Sequence, residues 1–184
     1  MTTVAIVGDG PGGLSAALLL AKSGIDTTVY AQDETPMHYA LLLNYLGIER
    51  MTGSDFQTVA RRQATDHGAE VVEAEVTAVH RGEDGRFTVE TDGASTDVDA
   101  VVLAGGKQAQ ALAAALGAAA GDGRVEVDAD QHTRVPGLYA IGRVVRPSRS
   151  QAIISAGAGA VAALDILSRA AGKDVQDWDS PPSE

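Results

Sequence analysis

The 184-residue sequence contains no cysteine. Disulfides, a thiolate nucleophile, a dithiol redox motif and cysteine-ligated metals are therefore excluded. Histidine is also sparse: His38, His67, His80 and His132 are widely scattered, none at the spacing of a zinc site, so no metal is expected. Positive charge is short as well, with 14 Lys+Arg against 25 Asp+Glu and a net charge of −11. That balance repels nucleic acid and anionic lipid, and neither is expected as a partner. Only Lys22, Lys107 and Lys173 are lysines. An acidic, lysine-poor composition resembles that of proteins from a high-salt cytoplasm, so a halophilic source is expected. No apolar run reaches the roughly 18 residues of a membrane span, and the N-terminus lacks the basic flank of a signal peptide. A cytoplasmic location is the expectation.

What is present reads as one α/β domain. The apolar residues 3–7 form a strand ending at Gly8, and Pro11, Gly12 and Gly13 open an apolar helix over 14–22 that stops at Ser23-Gly24. A β-branched strand over 27–31 completes a βαβ unit. Residues 35–53 are irregular, and Ser54 with Gln57 reads as a capping box for a helix to His67. Strands are predicted over 69–80 (broken near Glu75), 86–91 and 96–104, joined by turns that suit an antiparallel meander. A short helix over 108–116, strands over 125–127 and 138–141, and a long Ala/Gly/Ile-rich helix over 150–171 follow. The acidic segment 173–184 is predicted to be a frayed tail, with Trp178 docking on the surface.

One motif carries chemistry. Gly8-Asp9-Gly10-Pro11-Gly12-Gly13 matches G-x-G-x-x-G between a strand and a helix. Gly8 permits the tight turn, Gly10 lets backbone approach a pyrophosphate, Pro11 starts the helix, and Gly13 lets helix and strand pack closely. The helix N-terminus then offers free N–H groups to phosphate. The alternative is a glycine turn that only joins packed elements.

Further segments, in order, carry a resemblance. Asn44-Tyr45-Leu46-Gly47, Ala100-Val101-Val102-Leu103-Ala104-Gly105-Gly106, Thr133-Arg134-Val135-Pro136-Gly137-Leu138-Tyr139-Ala140-Ile141-Gly142 and Gln151-Ala152-Ile153-Ile154-Ser155-Ala156-Gly157 resemble motifs of the FAD domain of the thioredoxin reductase family. The resemblance runs from Val4 to about Leu167. It implies a Rossmann-type three-layer FAD/NAD(P)-binding domain with an antiparallel β-meander, over residues 1–172. It also implies FAD as cofactor, with Gly8, Gly10, Pro11, Gly13, Gly105 and Gly142 around the dinucleotide and Gln151 and Ala152 at the flavin's pyrimidine edge.

The family's NADPH-binding domain, with its Cys-x-x-Cys pair, is inserted after the strand that here ends at Gly105-Gly106, and the chain passes that point directly. Thioredoxin reductase activity is thereby excluded. Three positions depart from the pattern. Ala31 stands where the family carries the ribose-binding acid, with Asp33 and Glu34 the nearby substitutes or else a solvated turn. Arg143 replaces the aspartate after Gly142, and the Gly-Gly-Gln run beside the flavin ring has no counterpart. Arg143, with Arg146 and Arg149, reads either as an anion partner or as an exposed basic loop. His38 and Tyr39 read as a loop pair covering the core or as cleft residues.

The functional expectation is a flavoprotein of thioredoxin reductase lineage, an oxidoreductase or electron-transfer component working with a separate redox protein. The resemblance leaves a homodimer open. The alternatives are a non-catalytic module that binds NAD, FAD or another ADP-containing nucleotide or docks a protein, and a stand-alone NAD(P)-dependent reductase. Ala31 disfavours NAD for the latter, and the lack of a cation after the second strand disfavours NADP.

Overall fold

A computed structural model describes residues 2–32, 35–120 and 122–180. Its centre is a parallel sheet of β1 (Thr3–Val7), β2 (Asp26–Ala31), β5 (Glu70–Glu73), β9 (Ala100–Leu103) and β10 (Leu138–Ala140), in the order β10-β9-β1-β2-β5. The two-residue strands β3 (Leu41–Leu42) and β4 (Met51–Thr52) form a small hairpin, and β6 (Val76–Arg81), β7 (Phe87–Thr91) and β8 (Ala94–Val98) form an antiparallel meander. The helices are α1 (Pro11–Lys22), α2 (Gly53–Asp66), α3 (Lys107–Ala115) and α4 (Ala152–Ala171).

Strand alternation builds three layers. Val4 and Ile6 of β1 face a cluster with Leu14 and Leu20 of α1 and Ala162 and Ile166 of α4. Ala5 and Val7 face the other way, onto Phe87 and Val89 of the meander and Leu112 of α3. Each of the large aliphatic side chains so buried contributes about 1.5–3 kcal/mol. Helix α1 begins with Pro11 and ends in paired bonds from Gly24 N to Ala21 O and Ile25 N to Leu20 O, the latter spanning the turn that Gly24 makes at φ +79°.

Several sequence expectations are corrected. Thr52, not Ser54, caps α2: its Oγ1 accepts from the Asp55 N–H at 3.1 Å, while Gln57 is buried and turned to the glycine loop. The strand expected over 96–104 breaks at Asp99, whose Oδ2 accepts from Thr3 N (2.8 Å) and Thr3 Oγ1 (3.0 Å) and ties β1 to the start of β9. Residues 125–127 make only an isolated bridge, Ala119 to Val125.

Helix α4, at 20 residues and a mean hydropathy of 1.4, is long and apolar enough to cross a membrane by those two measures, against the expectation of no such run. Its composition has a packing cause. A Cβ on Gly159 would lie 2.1 Å from the Gly12 carbonyl oxygen, so small residues are what let α4 and α1 meet backbone to backbone. The described part of the acidic tail is held rather than frayed. Lys22 Nζ contacts Asp177 (2.7 Å) and Asp179 (2.6 Å), Val175 N donates to Ser168 Oγ, and Trp178, instead of docking, is 87% exposed.

Candidate dinucleotide site

The crossover from β1 leads to β2 on one side, while β9 flanks β1 on the other, so the sheet has its topological switch point between β1 and β9. Ligands of open α/β sheets sit outside the carboxyl ends of the strands at such a point. Gly8 follows β1, Gly105 follows β9 and Gly142 follows β10, so three of the expected residues crown adjacent strand ends. Backbone bonds lock them: Ala104 N to Val7 O (2.8 Å), Ile141 N to Leu103 O (3.0 Å) and Val144 N to Gly105 O (2.9 Å).

The glycines of the loop differ in what they are for. Gly8 has φ +107°, and a Cβ there would stand 2.4 Å from Ala104 O. A Cβ on Gly13 would stand 2.0 Å from Gly8 O. The fold itself demands both. Gly10 is different: its backbone (φ −68°, ψ 178°) suits any residue, and an added Cβ would meet only Thr35 Oγ1, at 3.7 Å. Nothing among the described residues requires glycine at position 10. The space beside it is where a ligand's phosphates would come against backbone, and Gly10 N-caps α1 with no side-chain bond to occupy the helix's N–H groups.

Of the other expected residues, Pro11 is the first residue of α1. Gln151 N-caps α4, also without a side-chain cap bond, and Ala152 begins that helix. The Gln151 Oε1 accepts from Asn44 Nδ2 at 3.1 Å, seating the 41–52 hairpin against the start of α4. Arg143 is exposed on the short helical turn after β10, close to Gly106, where an added Cβ would lie 3.9 Å from its Cδ. Arg143, Arg146 and Arg149 are exposed and make no ion pair among the described residues. Asp33 and Glu34 lie outside the described residues. Tyr39 is 94% exposed and His38 Nδ1 is 3.1 Å from Ser54 Oγ, which fits neither a core cover nor a cleft lining for Tyr39.

Sequence reading missed the group that holds the glycine loop. Gln57 Nε2 donates to the Asp9 carbonyl at 2.8 Å. The Arg61 guanidinium, on the same face of α2, binds the buried Asp9 carboxylate and reaches Glu73 Oε1 at 2.5 Å. Burial works against the Arg61 charge, but the two carboxylates outweigh it and hold its pKa above the ordinary arginine value. The i, i+4 spacing of Gln57 and Arg61 was visible; their long-range partners were not.

A second polar cluster lies at the opposite, amino end of the strands. Asp165 Oδ2 takes bonds from Tyr139 OH (2.6 Å) and Arg169 Nε (2.7 Å) and lies 2.7 Å from His132 Nε2, whose Nδ1 is 2.9 Å from Asp128. Burial and the Asp165 carboxylate push the Tyr139 phenol far up. Asp128, Asp130 and His132 bring ligand-type atoms within 4.8 Å of one another, although both His132 nitrogens already face carboxylates.

With this geometry in hand, the family can be stated. Residues 43–160 match the pyridine nucleotide-disulphide oxidoreductase family, and residues 1–44 match an FAD binding domain. The chain belongs to the pyridine nucleotide-disulphide oxidoreductase family, in a form without cysteine. Its fold is that of thioredoxin reductases. The enzyme from Gloeobacter violaceus superposes with a TM-score of 0.82 at 19% identity, over 98% of this chain and 100% of that one. The enzyme from Streptococcus pyogenes MGAS5005 gives 0.84 at 14% identity, over 92% and 98%. The atypical thioredoxin reductase TRi of Desulfovibrio vulgaris Hildenborough gives 0.77 at 20% identity, over 91% and 97%. No curated protein matches the sequence. The families indicate flavin and nucleotide binding on an oxidoreductase-type fold.

Proposed function

We propose that this chain is an FAD-binding redox domain that exchanges electrons with a separate partner protein. One observation carries the reading. Gly8 and Gly13 are required by the fold, whereas Gly10 keeps open a space that no atom of the described residues fills. That space lies at the helix terminus and switch point where a pyrophosphate is held in this architecture.

Bound FAD would supply the redox chemistry. The chain's part is to bind and orient it. The N–H groups at the start of α1 would hold the pyrophosphate, and the Arg143 guanidinium, free of any carboxylate among the described residues, would add a charge-assisted contact. The uncapped start of α4 at Gln151 and Ala152 would hold the flavin's pyrimidine edge, where a helix N-terminus favours negative charge. The sequence offers no cysteine to take electrons from a bound flavin, so the acceptor would be a separate molecule.

The test is direct. Protein purified in high salt is expected to be yellow and to release FAD on denaturation. A colourless protein that also rejects added FAD refutes the proposal; if it takes up ADP-ribose or NAD instead, the domain is a nucleotide sensor.

A further inference from the structure

Dinucleotide-binding sheets of this kind end their second strand on a carboxylate that accepts a hydrogen bond from the adenosine ribose 2′-hydroxyl. Here β2 ends at Ala31, which is 0% exposed. The parallel register pairs Ala31 with Glu73, the last residue of β5, and Ala74 N donates to Ala31 O at 3.0 Å, so the two strands stay locked to that point. Paired residues on neighbouring strands lie about 5 Å apart and present their side chains to the same face.

Glu73 therefore shares the face and the strand-end level of the missing acid, one strand further out. Its side chain is 55% exposed, and Oε2 has no hydrogen-bond partner among the described residues. The Arg61 guanidinium that holds Oε1 reaches, with its other nitrogens, the Asp9 carboxylate in the glycine loop. It thus runs from the end of β5 to the end of β1, across the end of β2. Among the described residues, two carboxylates, Asp9 and Glu73, share this one guanidinium, which leaves the group net negative at neutral pH. Free acceptor lone pairs in a net negative group suit a ribose hydroxyl and repel a phosphate on the same carbon.

We propose that Glu73 is the ribose-recognising carboxylate of this domain, restricting it to adenine nucleotides with a free 2′-hydroxyl. The inference rests on the nucleotide-binding reading above, but not on flavin as the particular ligand. Calorimetric titration with ADP, 2′-deoxy-ADP and adenosine 2′,5′-bisphosphate tests it in the wild type and in Glu73→Gln, whose amide oxygen still accepts from Arg61. The wild type is expected to favour ADP over 2′-deoxy-ADP by about tenfold, the scale of one hydrogen bond to a charged group. Glu73→Gln is expected to lose that preference, to bind ADP about tenfold more weakly, and to gain affinity for the bisphosphate, with its melting temperature unchanged.

The double variant Asp33→Asn/Glu34→Gln is expected to keep the preference. Glu73→Gln retaining it, or the double variant losing it, overturns the assignment. A wild type that binds FAD without 2′-hydroxyl preference overturns Glu73 alone. One that prefers ADP over its deoxy analogue yet rejects FAD supports Glu73 and refutes the flavin reading. A wild type that binds neither overturns both.

Discussion

Replacing Gly10 by alanine separates what the fold needs from what a ligand needs. Two effects on stability oppose each other. Alanine is a poorer N-cap than glycine, by roughly 0.5–1 kcal/mol, but it lowers the entropy of the unfolded chain by a similar amount, about 0.4–1 kcal/mol. With φ −68°, ψ 178° and no atom of the described residues nearer than 3.7 Å to the new Cβ, no strain is added. The net change is within about 0.5 kcal/mol, which for a domain of this size moves the melting temperature by about 2 °C or less. Binding is another matter. The methyl would stand where backbone must approach the pyrophosphate, and loss of one charge-assisted hydrogen bond costs about 1.5–3 kcal/mol, roughly ten- to a hundredfold in affinity. Gly8→Ala gives the contrast: at φ +107° and 2.4 Å from a backbone oxygen it should cost roughly 3 kcal/mol or more and lower stability before any ligand is added. Thermal melts of both variants, with calorimetric titration of FAD and ADP into Gly10→Ala, decide the matter. A Gly10→Ala protein that binds both ligands like the wild type, or that is itself markedly destabilised, refutes the reasoning.

Arg143→Ala should weaken FAD and ADP alike by about ten- to a hundredfold, with an unchanged melting temperature because the side chain is exposed; unchanged affinity in titrations would remove it from the site. NADPH alone should not reduce bound flavin rapidly, since residues 105–106 lead straight into α3 where the resemblance places a second dinucleotide domain; fast anaerobic bleaching in a stopped-flow mixer would contradict this. Tyr139→Phe removes a donor to Asp165 and should cost about 1–3 kcal/mol by denaturant titration. Burial pushes the Asp165 and Asp128 carboxyls up, but their bonds to Tyr139, Arg169 and His132 outweigh it and hold both below the ordinary 3.8. Folded-state values that are depressed mean stability present above about pH 4 and lost as pH falls through them. The melting temperature should drop on that side, and the drop should shrink in Asp165→Asn.

Local signals were legible wherever local physics decides. Residues 3–31 read correctly as a βαβ unit because a β-branched run, a glycine turn and a Pro-started helix each have short-range causes. The break near Glu75 was legible too, but not its consequence, that β5 joins the parallel sheet while β6 starts the meander. The split at Asp99 was invisible because it depends on Thr3, 96 residues away. The same holds for the site. Glycine spacing announced the turn between β1 and α1, but which glycine is structural and which is open depends on Ala104, Thr35 and the course of α1. Arg61 and Glu73 carry no motif at all, since their relation to Asp9 exists only once α2 lies across the strand ends.

These facts point to a division of labour within the fold. Small residues where α1 and α4 meet bring two uncapped helix starts, at Gly10 and Gln151, to the same end of the sheet. Each offers a partial positive charge, so an anionic or electron-accepting ligand gains from both in a chain whose net charge is −11. The exceptions to the surrounding acidity are local: Arg143, Arg146 and Arg149 put three of the eleven arginines within seven residues, leading into α4. Around the glycine loop, by contrast, the Arg61 guanidinium is held among the described residues by two carboxylates, Asp9 and Glu73. One side of the crevice is therefore left positive and the other net negative. A dinucleotide has the complementary pattern, with charged phosphates at its middle and a neutral ribose at its adenosine end. The chain carries no dithiol of its own, so such a ligand, rather than a side chain, is where redox chemistry would reside.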